Sequence, residues 1–428
     1  MALLSQTTTP TAWSCASNRQ FPTHPEYQDI KPIAWVTRTQ TPTKPIQTSS
    51  KEVSSSSTTT YTSEATRQLT ALSKAVGQDE SIRQKLLEAL EFSFGDWGQA
   101  PVPQQLNRCG WLSDVSNDHA PFEYSVALSQ RTGACELRFL VESQPEENTM
   151  SALQASTSQL TADIATKYGP SKVSLDRFHL ISDLFLPPNA QGTLASWHSF
   201  ATSKTLEKWK IYLDPQANGK QNAFKITQTA MERLGLAASW NLLEQVMHGG
   251  EDYPVYFSLG LSPNPEEAEV KVYVAHPGAS ATAIAQRHAR ADPSTNIHDI
   301  EQFYSTMAGG SLGPYRGKPG LSCFHFKNKD PSRPVARTVL YPMDNYASND
   351  AEAQARIEQY MEIISAPQVY RDRYRSAINA VRRRPLKDGR GIHSWVGMKD
   401  KANGDRSNTY YLSAELFGSL ADSGIAMK

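Results

Sequence analysis

Five short segments of the chain share one alternating pattern, with apolar side chains on one face and mostly basic residues and tyrosine on the other. The second face is formed by Glu136, Arg138 and Leu140; by Lys208, Lys210 and Tyr212; by Glu269, Lys271 and Tyr273; by Arg337, Val339 and Tyr341; and by Ser407, Thr409 and Tyr411. The residues between them form the apolar face in four of the five segments. Side chains that alternate every two residues predict β-strands with two different faces.

These strands recur at a nearly constant interval. Their tyrosines, at positions 212, 273, 341 and 411, are separated by 61, 68 and 70 residues. A second strand-like segment precedes each strand, and helical segments fill the intervals. The predicted hairpins join 121–128 to 135–142, 194–200 to 208–213, 255–261 to 269–275, 322–327 to 337–341, and 392–398 to 408–412. Such regular repetition indicates one structural unit used five times.

Five ββαα repeats predict an α+β fold, a ten-stranded antiparallel β-barrel with a solvent-filled lumen surrounded by α-helices. Closure of the barrel removes exposed strand edges, and the helices cover its apolar outer face. One helix is expected at 65–94, before the first hairpin. Residues 1–62 are rich in Ser, Thr and Pro and are predicted to form a disordered tail, while 63–428 form a single barrel domain.

The composition argues against several classes of partner. The chain has 428 residues with 43 basic and 43 acidic side chains, so no global field favours nucleic acid or an anionic membrane. No segment approaches the length and apolarity of a membrane span. Cys15, Cys109, Cys135 and Cys323 lie far apart, without the CxxC spacing of a zinc site or a compact disulfide framework. A cytoplasmic location is therefore predicted, with no metal site.

The predicted lumen combines two kinds of side chain. Its basic residues are Arg138, Lys208, Lys210, Lys271 and Arg337. Together they can neutralise a compact polyanion such as diphosphate. The phosphate-binding motif GxxxxGK[ST], the GxGxxG fingerprint and a DDxxD aspartate pair are absent, so side-chain cations would bind the anion directly. The interleaved tyrosines present ring faces that can shield a carbocation from water, although each could also be a large core residue.

One carboxylate stands apart from the basic strands. Glu123 shares a face of the first strand with Pro121 and Ser125, so it is predicted to point into the lumen. A buried carboxylate without a partner is costly. Two interpretations remain open: a salt bridge to Arg138 on the neighbouring strand, or an acceptor for an N–H group of a substrate.

These residues lie in motifs that resemble those of the indole prenyltransferases of the dimethylallyltryptophan synthase family. The motifs are PFEYS at 121–125, ELRFLVE at 136–142, WKIYLDPQ at 209–216, VKVY at 270–273 and YLSAE at 411–415. The resemblance runs from about residue 65 to the C-terminus, and the segment WHSF at 197–200 is similar to the bacterial branch. The resemblance implies that the fold is the ββαα prenyltransferase barrel, called ABBA.

The resemblance also implies an activity and its residues. Dimethylallyl diphosphate would ionise, and an indole would attack the allyl cation. The indole would be tryptophan, a tryptophan-derived peptide or an indole alkaloid. Glu123 would bind the indole N–H, and Arg138, Lys210 and Lys271 would bind the diphosphate. The expected tyrosine shield consists of Tyr212, Tyr273, Tyr341 and Tyr411. No cofactor would be required, with Mg²⁺ at most stimulatory, and the protein would be a monomer or a homodimer.

The sequence departs from the fungal pattern of this family at three positions. The third strand lacks the lysine proposed to take the proton on rearomatisation, and His198 is the nearest substitute, although it could equally be a packed core residue. Glu269 stands where the fungal pattern tends to have arginine, and Val339 where it has a polar group. Diphosphate contacts could therefore pass to Lys208 and Arg337.

Three other functions fit parts of the pattern. The same barrel could prenylate a phenol or hydroxyquinone, although a phenol does not require the N–H acceptor that Glu123 would supply. A non-catalytic barrel could bind an isoprenoid diphosphate. Finally, Glu136 and Glu269 could neutralise Arg138 and Lys271, which would leave a purely structural set of ion pairs.

Overall fold

Ten β-strands form one closed barrel in the computed structural model, which describes residues 59–104, 110–203, 207–247 and 251–418. The strands are β1 Phe122–Ser129, β2 Cys135–Val141, β3 Ser196–Thr202, β4 Glu207–Leu213, β5 Tyr253–Gly260, β6 Val270–His276, β7 Gly320–Phe326, β8 Ala336–Tyr341, β9 His393–Lys401 and β10 Arg406–Ser413. Neighbours along the chain pair antiparallel, and β1 pairs with both β2 and β10. The predicted α+β fold with a ten-stranded antiparallel barrel is confirmed.

The helices lie in pairs or groups between the hairpins. They are α1 Tyr61–Ala75, α2 Glu80–Phe94, α3 Met150–Tyr168, α4 Asp176–His179, α5 Ser182–Phe185, α6 Ala223–Arg233, α7 Ala237–Val246, α8 Ala281–Ala291, α9 Ile297–Met307, α10 Met343–Tyr346, α11 Asp350–Ile363 and α12 Gln368–Val381. The single helix predicted at 65–94 is wrong. It is two helices, because Gly77 adopts a φ of +70° directly after α1 and redirects the chain.

The main apolar core fills the space between the barrel and its helices. Each strand contributes its helix-facing side, as Val270, Val272 and Val274 do on β6, and the helices contribute residues such as Leu69 and Phe303. All five are fully or almost fully buried. Because this core encloses the barrel from outside, the opposite side of each strand is left to line the lumen.

Two sequence predictions concern other parts of the chain. Residues 1–58 of the predicted tail lie outside the described residues. Among the helices that the structure describes, none is both long and apolar enough to cross a membrane.

Candidate active site

Strand register brings residues from distant parts of the sequence to one side of the barrel wall. Lys271 on β6 lies opposite His325 on β7, and Tyr273 lies opposite Cys323. Cys323 pairs in turn with Thr338, which lies opposite Lys399 on β9. Directly paired residues point to the same side of a sheet, so these side chains share the lumen. They line one cavity together with Arg138, Thr409 and Tyr411.

Basic side chains dominate this end of the lumen. They are Arg138, Lys208, Lys210, Lys271 and Lys399, which face the two carboxylates Glu136 and Glu269. Five cations against two anions leave a formal excess of three positive charges. Lys399 was missed by the sequence analysis, which ended the ninth strand at residue 398, whereas β9 continues to Lys401. The alternation of Trp395, Gly397 and Lys399 was the available signal.

Glu269 organises the basic cluster. Its Oε2 lies 2.6 Å from Lys210 Nζ and 3.7 Å from Lys271 Nζ, and its Oε1 lies 3.1 Å from His325 Nδ1. Burial opposes ionisation of Glu269, but the positive charges of Lys210 and Lys271 hold its pKa well below the usual value. The carboxylate that replaces the expected arginine therefore positions two lysines instead of contributing a charge to the anion site.

Lys399 and Lys271 keep most of their charge at neutral pH. Burial lowers the pKa of Lys399 to about 8, an effect that Glu269 opposes and that Lys271 and Arg138 increase. Burial also acts against the charge of Lys271, but Tyr212 and Glu269 raise its pKa above the usual value. The cluster is therefore a buried, cationic surface at one end of the lumen.

Aromatic side chains form the next layer of the lumen. Tyr212 and Tyr273 lie with ring centroids 6.1 Å apart, and Tyr411 lines the same cavity as Tyr273. Tyr256, which the sequence analysis missed, packs 5.9 Å from Tyr273 and 5.3 Å from Trp197. Tyr256 shares the inner side of β5 with Ser258, and the outward Phe257 and Leu259 were the available signal for this alternation.

The predicted lumen positions of Arg337 and Tyr341 are wrong. The lumen side of β8 is formed by Thr338 and Leu340, because Thr338 pairs with Cys323 and Lys399. Arg337 points outward and contacts Asp292 at 3.2 Å. Tyr341 is fully buried against the helices. It packs against other tyrosines at centroid distances of 5.5, 5.7 and 5.4 Å, namely Tyr304, Tyr315 and Tyr346.

The predicted role of His198 as a lumen base is also wrong. His198 pairs with Ile211, whose side chain belongs to the outer core, and it is fully buried. Its Nε2 lies 2.8 Å from the hydroxyl of Thr161 on α3. Burial lowers the pKa of His198 to about 3. The packed, hydrogen-bonded interpretation of this histidine is therefore the correct one.

Glu123 lies in the lumen, toward the end opposite the basic cluster. It is 6% exposed, and Ser394 Oγ donates a 3.0 Å hydrogen bond to its Oε2. Arg138 pairs with Glu136 and not with Glu123, so the salt-bridge interpretation fails. Burial raises the pKa of Glu123 to about 8, which Ser394 and Lys318 oppose and Asp344 increases.

Tryptophans and further carboxylates complete this end of the lumen. Trp197 donates from Nε1 to Glu142 Oε1 at 2.9 Å, and Trp111 donates to the other oxygen of Glu142 at 3.1 Å. Lys318 Nζ lies 4.6 Å from the ring centroid of Trp395. An electron-rich aromatic substrate could stack here, with Glu123 accepting its N–H and the tyrosines lying between it and the basic cluster. Within the described ranges, no three His, Cys, Asp or Glu side chains converge as metal ligands.

Comparison with known proteins gives the same picture. The family model described as tryptophan dimethylallyltransferase matches residues 94–376. The chain is similar to 6-dimethylallyltryptophan synthase from Micromonospora olivasterospora, solved in complex with DMASPP and Trp. The identity is 27%, the TM-score is 0.74, and the match covers 84% of this chain and 99% of that one.

Two further structures share the fold. The 5-dimethylallyltryptophan synthase from Streptomyces coelicolor has 24% identity and a TM-score of 0.73, covering 84% of this chain and 99% of its own. AnaPT from Neosartorya fischeri has 13% identity and a TM-score of 0.66, covering 81% of this chain and 91% of its own.

Proposed function

Because the tryptophan dimethylallyltransferase model matches about two thirds of its length, the chain belongs to that family of prenyl-transferring enzymes, and we propose how its own residues perform the transfer. The proposed donor is dimethylallyl diphosphate and the proposed acceptor is an indole. The observation that carries this assignment is the placement, in one lumen, of a basic cluster and a buried N–H acceptor with tyrosine faces between them.

The basic cluster is proposed to bind the diphosphate and promote ionisation. Lys271, Lys210, Arg138 and Lys399 would contact its oxygens, and the excess of positive charge balances an anion that gains charge as it leaves. The allylic C–O bond breaks, and diphosphate departs with the electron pair. Because these cations can stabilise the leaving group, we propose that metal is not required.

The tyrosines are proposed to hold the allyl cation. Tyr212, Tyr273 and Tyr411 carry ring faces with a negative quadrupole, and burial keeps the pKa of Tyr273 and Tyr411 above the usual range, so their hydroxyls stay neutral. Neutral tyrosine rings attract the cation. Their hydroxyls, unlike ionised phenolates, do not readily attack it and trap it as an ether. Tyr256 and Trp197 extend the same aromatic wall toward the acceptor.

Glu123 is proposed to activate the acceptor. As the indole attacks the cation, positive charge develops on the ring and its N–H becomes a stronger donor, so an ionised Glu123 stabilises the transition state more than the ground state. The new C–C or C–N bond forms, and loss of the ring proton restores aromaticity. His198 takes no part in this proton transfer, since it lies on the outer face.

The assay that tests this function is mass spectrometry of products formed from dimethylallyl diphosphate and a panel of indoles and phenols, with and without EDTA. We expect a mass gain of one C5H8 unit on indoles, unchanged by EDTA. A gain on phenols alone would replace the indole with a phenol as acceptor. Saturable donor binding without any product would overturn the enzymatic assignment.

A further inference from the structure

A cavity of about 330 Å³ lies outside the barrel, beside helix α8. The inner side of α8 contributes Ile284 to the core between the helices and the strands. The cavity is lined by another face of the same helix, at the spacing of three and four residues that brings side chains together: Ala283, Gln286, Arg287 and Arg290. Because the outer core lies between α8 and the strands, this cavity is separate from the lumen.

Arg287 is a fixed cation in the wall of this cavity. It is 6% exposed, and its Nε and Nη2 donate to the two carboxylate oxygens of Asp252 at 2.6 Å and 3.0 Å. Asp252 is itself buried, and its Oδ1 also lies 2.9 Å from His276 Nδ1. This ion pair holds the guanidinium in one orientation. The Nη1 group forms no hydrogen bond with any residue that the structure describes, so a nearly buried cation keeps free N–H donors beside the cavity.

Further donors surround the same space. Arg290 lies one turn beyond Arg287, is exposed, and forms no ion pair within the described part of the chain. Gln286 adds its amide N–H groups to the lining. Ser280 accepts a 3.1 Å hydrogen bond from the Ala283 backbone N–H and keeps its own hydroxyl proton as a donor. Among the described residues of the lining, Glu251 is the one carboxylate, so the wall favours an anion.

We propose that this cavity is a second ligand site, which binds a small organic phosphate with its phosphate group on Arg287 and Arg290. One guanidinium can satisfy both oxygens of a carboxylate, whereas the three oxygens of a phosphate monoester can use both guanidinium groups and the Gln286 amide. A volume of about 330 Å³ lies at the small end of the range for organic ligands. Ser280 and Glu251 can bind hydroxyl groups of the organic part.

This site does not depend on the proposed function, because it shares no residue with the lumen. The probe is glycerol 3-phosphate, and its binding is measured by isothermal titration calorimetry. Arg290→Gln removes the exposed guanidinium. Ala283→Leu fills the cavity without a change of charge, and leucine is a good helix former.

Arg382→Gln is the matched control for the loss of one positive charge. Arg382 follows α12, is exposed, and forms no ion pair with any described residue, as is the case for Arg290. All four proteins keep the basic cluster of the lumen, so phosphate that binds there contributes equally to each titration. The difference between the variants therefore reports on the cavity beside α8.

We expect the Kd for glycerol 3-phosphate to rise at least about tenfold in Arg290→Gln and in Ala283→Leu, and to change less than about twofold in Arg382→Gln. The KM for dimethylallyl diphosphate should be unchanged in all three variants. Absence of binding to the parent, or equal Kd values in all four proteins, would overturn the inference. Equal weakening in the two arginine variants would also overturn it, because it would show a general effect of charge.

Malonate separates a phosphate from a carboxylate ligand. We expect malonate to bind the parent at least about tenfold more weakly than glycerol 3-phosphate does. Equally tight binding of malonate, with the same loss in Arg290→Gln, would overturn the assignment to a phosphate. These titrations need no turnover, so a failure to prenylate indoles would contradict the proposed function and leave the result for this site unaffected.

Discussion

Ser394 Oγ on β9 donates a 3.0 Å hydrogen bond to Oε2 of Glu123 on β1, across the inner face of the intervening strand β10. Both residues are buried, at 1% and 6% exposure. The bond fixes one oxygen of the carboxylate and leaves Oε1 available for an indole N–H. It also favours the ionised form of Glu123, against the larger effect of burial on the pKa.

Replacing Ser394 with alanine should therefore raise the pKa of Glu123 further. A hydrogen bond to a charged group contributes about 1.5–3 kcal/mol, so we expect kcat/KM at pH 7 to fall by about tenfold or more. The loss should shrink at high pH, where Glu123 ionises even without Ser394. A pH–rate profile of the variant measures this, and a loss that is equal at every pH would show that Ser394 acts by packing alone.

The native enzyme should itself gain activity as the pH rises through about 8. The pKa of Glu123 is raised to about 8, so the carboxylate is mostly protonated below that pH and mostly ionised above it. The ionised form accepts the indole N–H in a charge-assisted hydrogen bond, which is stronger than the bond that the protonated carboxyl group can accept. The measurement is kcat/KM for the indole with the donor saturating, because the pKa of Lys399 is also about 8 and loss of its charge weakens donor binding. Glu123→Gln should remove the rise, and a rate that falls with pH would contradict an acceptor role.

Lys271 and Arg337 provide a direct comparison of the two sides of the barrel wall. Lys271→Met removes a cation from the lumen cavity and should raise the KM for dimethylallyl diphosphate by about tenfold or more. Arg337→Met should change that KM less than about twofold, since Arg337 lies outside the lumen and pairs with Asp292. Equal effects on donor KM in the two variants would contradict the placement of Arg337 outside the lumen.

The barrel could be predicted from the sequence because most strands alternate between an apolar side, which faces the helices, and a second side. Alternation defines two faces but does not say which is inward. On β6 the valines identify the outward face. On β8, Arg337, Val339 and Tyr341 lie on one side and Thr338 and Leu340 on the other, and the two sides do not differ clearly in polarity. The spacing of the tyrosines suggested the wrong side. The pairing of Thr338 with Cys323 and Lys399 identifies the side that faces the lumen.

Other parts of the site depend on geometry that a single sequence does not encode. The outward direction of His198 follows from its pairing with Ile211. By contrast, Glu123 could be predicted, because the first strand alternates cleanly between Phe122, Tyr124 and Val126 outside and the carboxylate inside.

Because Tyr341 lies outside the lumen, we expect the protein to tolerate its replacement by phenylalanine. Its hydroxyl is buried and has no hydrogen-bond partner among the described residues, so Tyr341→Phe removes an unsatisfied polar group. Stability should stay equal or rise by up to about 1 kcal/mol, with turnover unchanged. The neighbouring Tyr304 is the control, because its hydroxyl donates 2.9 Å to the Leu340 carbonyl and Tyr304→Phe should cost about 1 kcal/mol. Urea unfolding of both variants makes the comparison, and loss of activity in Tyr341→Phe would argue for a lumen role.

His198 should influence stability and not catalysis. Burial lowers its pKa from 6.5 to about 3, so below pH 6.5 the unfolded chain binds a proton that the folded barrel excludes. The stabilising contribution of neutral His198 is present above 6.5 and is lost as the pH falls from 6.5 toward 3, at no more than about 1.4 kcal/mol per unit. His276 and His288 are also buried with lowered pKa values, and they affect the pH dependence of stability in the same direction. The test must therefore compare the parent protein with a variant that lacks only His198. Denaturation of the parent and His198→Gln at pH 5 and 7.5 should show a smaller loss on acidification in the variant, whereas kcat at pH 7.5 should be unchanged. A large fall in kcat with stability preserved would restore His198 as a catalytic residue.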